Sequence, residues 1–328
     1  MYFVQAVPYV YQNLEGVESI TFAEQRAKFE KEKTVYESAL LKFEGVEGFD
    51  VYNTSIPFEW DGRTYMYGRV ERRTEWARSW VRLFERTAPD TYVLKKDSMV
   101  YQLEDPYIAI IGGELVMGGT HVRYQKGELD TYYGYFYRGT DLEDMRYFTT
   151  GPDYMKDIRL VELADGRIGV FSRPRGEHVI KQYGSESVVG FTIINNLNEL
   201  SAEVIAHAPL VDGLFADGEW GGCNQCECLS PQYIGVLGHH CYMDGGRQVY
   251  LNISYVFDYM NRQVLDYKII GSSTCYPPAP AKVPDTADVA FTSGMVARPD
   301  GKYDLYSGVC DTCEGRLVID DPFAAFRK

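Results

Sequence analysis

Long apolar runs are missing from this chain of 328 residues: nothing in it approaches the roughly 20 consecutive apolar residues that a bilayer-crossing helix needs. Its first residues, MYFVQAVPYVYQNLEG, contain neither a basic segment nor an uninterrupted apolar stretch, so no secretory leader is expected. Positive charge is scarce as well. Lys and Arg number 33 against 47 Asp and Glu, and the net charge of −14 gives the long-range field the wrong sign for nucleic acid or an anionic membrane. Seven cysteines, an odd number, argue against a secreted disulfide framework. A soluble, cytosolic protein is expected, with no nucleic-acid or membrane partner and a small molecule as its target.

What the chain does have is 27 Tyr, 16 Phe, 31 Gly and 14 Pro, the composition of strands and turns, so the expected class is all-β. Two cysteine pairs, Cys223-x-x-Cys226 and Cys310-x-x-Cys313, have spacing that a tetrahedral thiolate zinc site could use. Both lie beside strands and lack the glycine and basic context of a zinc ribbon. Reduced thiols are the preferred reading, with zinc as the alternative.

Self-similarity supplies the organisation. A hairpin with a tight turn and alternating apolar and aromatic flanks occurs five times, around Gly62, Gly113, Gly166, Pro231 and Gly301. Successive turns are 51, 53, 65 and 70 residues apart, enough each time for one four-stranded sheet with its loops. Radial repetition of such sheets is a β-propeller, here of five blades over residues 44–328. Before it, residues 21–43 place Phe22, Phe29 and Tyr36 seven apart among charges, which predicts an amphipathic helix. The N-terminal arm, 1–43, packs on the outside of the propeller or forms a homo-oligomer contact.

In an antiparallel hairpin, a residue well before the turn lies at the same end as its counterpart after it. The first copy thereby brings Asn53 and Ser55 towards Arg69 and Glu71, and the second brings Glu104 and Asp105 towards His121. The third gathers Lys156, Asp157 and Arg159 with Arg173 and Arg175; the fourth, Asn224 and Gln225 with His239 and His240; the fifth, Ser293 with Asp311. Each residue alone fits a surface or structural role. Their recurrence at one end of five hairpins points to a site in the mouth of a central funnel.

Glu104-Asp105-Pro106 before a strand, Gly68-Arg69-Val70-Glu71, Phe291-Thr-Ser-Gly294 and the final Tyr306-Ser-Gly-Val-Cys-Asp311 resemble the five-bladed propellers of glycoside hydrolase family 130. They are more similar to the family of unknown function numbered 1861, allied with the glycosyltransferase family 108 of β-1,2-mannosyltransferases and mannoside phosphorylases. The resemblance spans about residues 44–325. It implies an enzyme acting on β-mannosides, with Asp105 as proton donor to the departing oxygen, in the phosphorylases through a sugar hydroxyl. It also implies that Asn53, Arg69, Glu71 and Asp311 grip the mannose at the cleavage subsite. Glu104 is a supporting carboxylate, although neighbouring strand residues point to opposite faces. Family 130 phosphorylases usually carry Arg after Glu-Asp-Pro, where this chain has Tyr107.

The nucleophile separates the chemistries. An inverting hydrolase needs a second carboxylate, about 6.5–9.5 Å from the acid, to activate water, and Glu71, Glu227 and Asp311 are the candidates. A phosphorylase needs cations to hold phosphate, for which Lys156, Arg159, Arg173 and Arg175 with His239 or His240 are available. His121, Asp157 and Asn224 complete the substrate-binding set. Phosphorolysis, or synthesis from mannose 1-phosphate, is the favoured reading. It takes phosphate and a mannose-containing oligosaccharide as reactants and needs no cofactor. Simple hydrolysis and a noncatalytic carbohydrate- or protein-binding propeller are the alternatives.

Overall fold

The turns at Gly62, Gly113, Gly166, Pro231 and Gly301 each close an antiparallel hairpin in a computed structural model that describes residues 21–327. At the second turn both Gly112 (φ 58°) and Gly113 (φ 81°) adopt the left-handed conformation that a two-residue hairpin loop requires.

These hairpins grow into four hydrogen-bonded sheets. The first contains β2 (Lys42–Glu44), β3 (Asp50–Tyr52), β4 (Phe58–Trp60), β5 (Arg63–Glu71), β6 (Trp80–Ala88) and β7 (Thr91–Leu94). The second runs β8 (Glu104–Ile111), β9 (Glu114–Gln125), β10 (Glu128–Gly139), β11 (Arg146–Thr150), and the third β12 (Arg159–Glu162), β13 (Ile168–Ser172), β14 (Gly190–Ile194). The fourth has eight strands. In it, β15 (Trp220–Cys228), β16 (Tyr233–Asp244), β17 (Arg247–Asp258) and β18 (Gln263–Gly271) form one antiparallel group. A second group consists of β19 (Asp288–Ala297), β20 (Tyr303–Val309), β21 (Cys313–Ile319) and β1 (Ser38–Leu40). Among the described residues, the strand pairing between the two groups is limited to a two-residue parallel stretch of β17 and β19.

The architecture is all-β and propeller-like. Neighbouring sheets bury apolar faces against each other: Tyr107, Val116 and Phe136 of the second pack with Leu160, Ile168 and Val170 of the third. Phe171 and Phe191 of the third pack with Phe257 of the fourth. Burying each such side chain stabilises the fold by about 1.5–3 kcal/mol. Pairing of β1 with β21 ties the early part of the described chain to its end.

The helix expected over 21–43 occupies only Phe22–Glu32, α1, opened by a capping box in which Thr21 Oγ1 accepts from the Glu24 N–H. Beyond it, Thr34, Val35 and Tyr36 favour extended backbone, and the chain satisfies two sheet edges instead, as β1 against β21 and β2 against β7. The expected domain boundary at 43/44 therefore falls inside β2. Phe22 stacks on His240 at 3.5 Å and Phe29 packs on the fourth sheet, while Tyr36 stays exposed. The apolar residues of α1 are thus used within the chain itself. Residues 1–20 of the arm lie outside the described residues. Among the described residues, no helix is long and apolar enough to cross a membrane.

Candidate active site

Strand alternation would send Glu104 and Asp105 to opposite faces. The register between β8 and β9 instead shifts between Glu104 and Tyr107, and Asp105 takes a left-handed φ of 51°. This bulge turns both carboxylates onto one guanidinium: Arg69 lies 2.9 Å from Asp105 through Nη1 and 3.1 Å from Glu104 through Nη2. Asn53 (φ 47°), Asp157 (φ 56°) and Asp311 (φ 56°) share the unfavourable conformation. Each such residue costs on the order of 1–3 kcal/mol, a strain that concentrates at working sites.

Asn53, Arg69, Glu104, Asp105 and Asp311 line a cavity of about 630 Å³. Asp105 Oδ1 accepts from Asn53 Nδ2 and from Arg69 Nη1, both at 2.9 Å, and Oδ2 faces Lys156 Nζ at 3.8 Å. Burial pushes Glu104 up, against the pull of Arg69 and Lys156, so Glu104 is biased towards holding a proton. Burial likewise raises Asp311 to about 6.

Behind this wall is a buried charge chain. Glu71 takes hydrogen bonds from Arg69 Nη2 at 3.2 Å and Ser79 Oγ at 3.0 Å, and also from Tyr52 and Lys282, whose Nζ reaches the Tyr52 hydroxyl at 3.0 Å. Lys282 escaped the sequence reading. Its one sequence signal is a lone cation in the Pro-rich YPPAPAKVPD, and its side chain is fully buried.

The third sheet supplies cations to the same cavity through Lys156, Arg173 and Arg175. Arg173 is held by Asp157 at 2.5 Å and by the Gly221 carbonyl at 2.6 Å. Arg173 and its cationic neighbours keep Asp157 well below the usual carboxylate range despite its burial. His239 also lines the cavity. Its Nδ1 lies 2.7 Å from Asn224 Oδ1, which assigns the proton to Nδ1, and its buried Nε2 makes no hydrogen bond among the described residues, with Asp157 Oδ2 3.9 Å away. Burial and Arg173 push His239 well down, so it brings a hydrogen-bonding nitrogen rather than a charge.

Several expected site residues lie elsewhere. Arg159 points away from the mouth: its Nε donates to the Asn224 carbonyl at 2.7 Å, its guanidinium covers Tyr107 at 4.4 Å, and it lines a separate cavity of about 280 Å³. Tyr107, at the position after Glu-Asp-Pro, is itself sunk against Gly118, where any Cβ would meet the ring at 2.2 Å. His240 sits under Phe22 with Nε2 2.9 Å from Glu219. His121 bonds the Gln102 carbonyl outside the cavity, because the β8 bulge breaks the simple counting that paired it with Asp105. Glu71, Asp157 and Asn224 stand behind the lining as partners of Arg69, Arg173 and His239. Of the three candidate bases, Glu71 is buried behind Arg69 and Glu227 pairs with Arg327, leaving Asp311 in the cavity.

The four-cysteine zinc set is not assembled. Cys223 lies in the core 3.3 Å from the Tyr255 hydroxyl, whereas Cys310 faces the Ala287 carbonyl in another cluster. No group of three or more potential ligands that could hold a metal occurs among the described residues.

Glu314 supports the site from below. It is 1 % exposed, its Oε2 accepts from the Thr54 N–H at 3.2 Å beside Asn53, and burial raises it to about 8. A carboxyl raised on folding stabilises fully below its unfolded value, about 4.3, and that contribution is lost as pH rises through the folded value. Stability should therefore fall between pH 5 and 8.5, by a few kcal/mol on the order of this linkage. Glu314→Gln should flatten that part of the melting-temperature profile; an unchanged slope would contradict it.

Solved structures share this arrangement of strands. A mannose phosphorylase from Leishmania mexicana, MPT-4, in complex with phosphate ion, is 50% identical, covering 93% of this chain and 95% of its own, with a TM-score of 0.88. MPT-1, a GDP-Man-dependent mannosyltransferase from the same organism, is 44% identical over 94% and 98%, with a TM-score of 0.86. A β-1,2-mannobiose phosphorylase from Listeria innocua, at 15% identity over 84% and 91% and a TM-score of 0.59, shares the fold. No curated protein matches the sequence. Residues 27–325 match the family model described as protein of unknown function, DUF1861, and the chain belongs to that family.

Proposed function

We propose that this protein makes and breaks β-mannosidic bonds by reversible phosphorolysis. The observation that carries the reading is that Asp105 and the cations Lys156, Arg173 and Arg175 open onto one cavity large enough for a pyranose and a phosphate. The relatedness to a mannose phosphorylase at 50% identity supports it.

In the forward direction a phosphate oxygen bonds to the anomeric carbon as the bond to the leaving oxygen breaks on the opposite face, and Asp105 supplies the proton, directly or through a sugar hydroxyl. The products are α-mannose 1-phosphate and a saccharide one unit shorter. No electrons change hands, so no redox cofactor is required. Asn53, Arg69 and Asp311 hold the mannosyl unit. Arg69 also orients Asp105, with Glu71 and Lys282 fixing the guanidinium. We read the eight-stranded sheet as two blades, since the strand register pairs β17 with β19 at just two positions; that gives five blades, each with one marked hairpin.

The MPT-1 relative favours one second reading, transfer from GDP-mannose. Incubation with mannose and either mannose 1-phosphate or GDP-mannose separates the two. Phosphate release with oligomer growth from the first donor is expected; turnover of only the second would replace the proposal. The Lys156 side chain is 25% exposed, so its replacement tests phosphate binding with little risk to the fold. Hydrogen bonds to charged groups contribute about 1.5–3 kcal/mol, so Lys156→Met should raise the KM for phosphate roughly 10- to 100-fold. An unchanged KM would remove Lys156 from the phosphate site.

A further inference from the structure

The polar floor of the cavity leaves open where the second sugar lies. An inverting displacement puts nucleophile and leaving group on opposite faces of the anomeric carbon. Asp105 divides the cavity accordingly: Oδ1 faces Arg69 of the first sheet, and Oδ2 faces Lys156 on the side of the third-sheet cations. If phosphate occupies the cationic side, the leaving sugar must lie over the first sheet and the loop that follows β5.

That loop presents Trp76, an indole that lines the cavity and remains 47% exposed. A large aromatic ring left open at a cavity wall is unusual in a folded chain and marks a binding surface. The ring is also held in place. Lys282 Nζ, itself buried, sits 4.6 Å from its centroid and covers one face, so the accessible area belongs to the other face and the edge. The Trp76 carbonyl accepts from the Tyr124 hydroxyl at 3.1 Å. The next residue, Ala77, is left-handed at φ 52°, an unfavourable conformation for alanine that persists only when its surroundings impose it. A strained backbone, a pinned carbonyl and a cation beneath the ring fix an open aromatic face beside the acid.

We propose that Trp76 is the stacking platform of the acceptor subsite, receiving the apolar C–H face of the pyranose that leaves in phosphorolysis and attacks in synthesis. This inference rests on the phosphorylase reading for the direction of the reaction, and on the geometry alone for the location of the sugar. Lys282 then has two tasks on one connector: it fixes Glu71 beneath Arg69 and backs the indole, so donor and acceptor contacts share a support.

The test uses the full chain, with Trp76→Ala and Trp76→Phe, each checked for an unchanged melting temperature. For synthesis, Trp76→Ala should raise the KM for β-1,2-mannobiose as acceptor at least tenfold and leave the KM for mannose 1-phosphate within twofold. Trp76→Phe should recover most of the loss. Acceptor KM unchanged in Trp76→Ala, or both KM values raised equally, would overturn the platform. Calorimetric titration with β-1,2-mannotriose separates this from the functional reading. If the wild-type chain binds the trisaccharide but turns over neither donor, weaker binding by Trp76→Ala sustains the subsite while the phosphorylase reading fails. If turnover proceeds and the variant binds as tightly as wild type, the subsite alone is lost.

Discussion

Asp105→Asn should lower turnover by about 10²–10⁴-fold, the range that a positioned proton donor contributes, while the protein folds and melts as before. The fold should tolerate the change because an Asn carbonyl oxygen can still accept from Asn53 Nδ2 and Arg69 Nη1, the two bonds that Oδ1 now makes. Arg69 is not stranded either, since Glu104 and Glu71 remain against it. What disappears is the ability to give and take a proton at Oδ2. Initial rates of phosphate release from mannose 1-phosphate, with a thermal melt of the same sample, provide the check. Retained activity would move the acid elsewhere, and Asp311 would be the carboxyl to examine.

Lys282→Met should cost stability on the order of 3 kcal/mol, because it keeps the length of the side chain but removes a buried ammonium from Glu71. Both side chains of this pair are fully buried, and breaking a buried pair from one side leaves a charge that water cannot reach. Replacing both partners is a different matter. Lys282→Met with Glu71→Gln should recover much of the loss, since neutral groups of matching shape remove the stranded charge along with the pair. Activity should not recover with it, as Arg69 would lose its anchor behind Asp105. Urea unfolding midpoints of the two variants, with kcat measured alongside, test this. A single variant within about 0.5 kcal/mol of wild type, the range of ordinary surface changes, would show that Lys282 does not carry the charge chain.

Much of the frame was legible in the sequence because turns are local. Asp61-Gly62, Gly112-Gly113 and the later punctuated turns need only their own residues to set the backbone, and all five hairpins form. Counting outward from those turns also brought Asn53, Arg69, Asp105 and Arg173 to a common end. The counting failed where a bulge intervened. The shift at Glu104 to Tyr107 puts Glu104 and Asp105 on one guanidinium, against simple alternation, and leaves His121 outside. Arg159 and His240 were misjudged for another reason. His239 and His240 are neighbours on β16 and face opposite ways, so His240 packs under Phe22 while His239 lines the cavity. Arg159 opens β12 against Tyr107, whereas Asp157 precedes that strand with a left-handed φ of 56° and meets Arg173.

Lys282 and Trp76 depend on contacts between distant segments. The connector that carries Lys282 reaches Glu71, 211 positions earlier, and no local pattern announces such a meeting. α1 shows the same limit in reverse: its capping box fixes the start, but its end is set by the edges of β21 and β7, which take up residues 38–44 as strands.

A crystal structure of the protein with mannose and phosphate tests the central claim most directly. The account expects phosphate oxygens within hydrogen-bond distance of Lys156, Arg173 or Arg175, and a mannose between them and Asp105 with its hydroxyls on Asn53 and Asp311. Phosphate bound outside this cavity, or mannose held on a wall that Asp105 does not face, would contradict it.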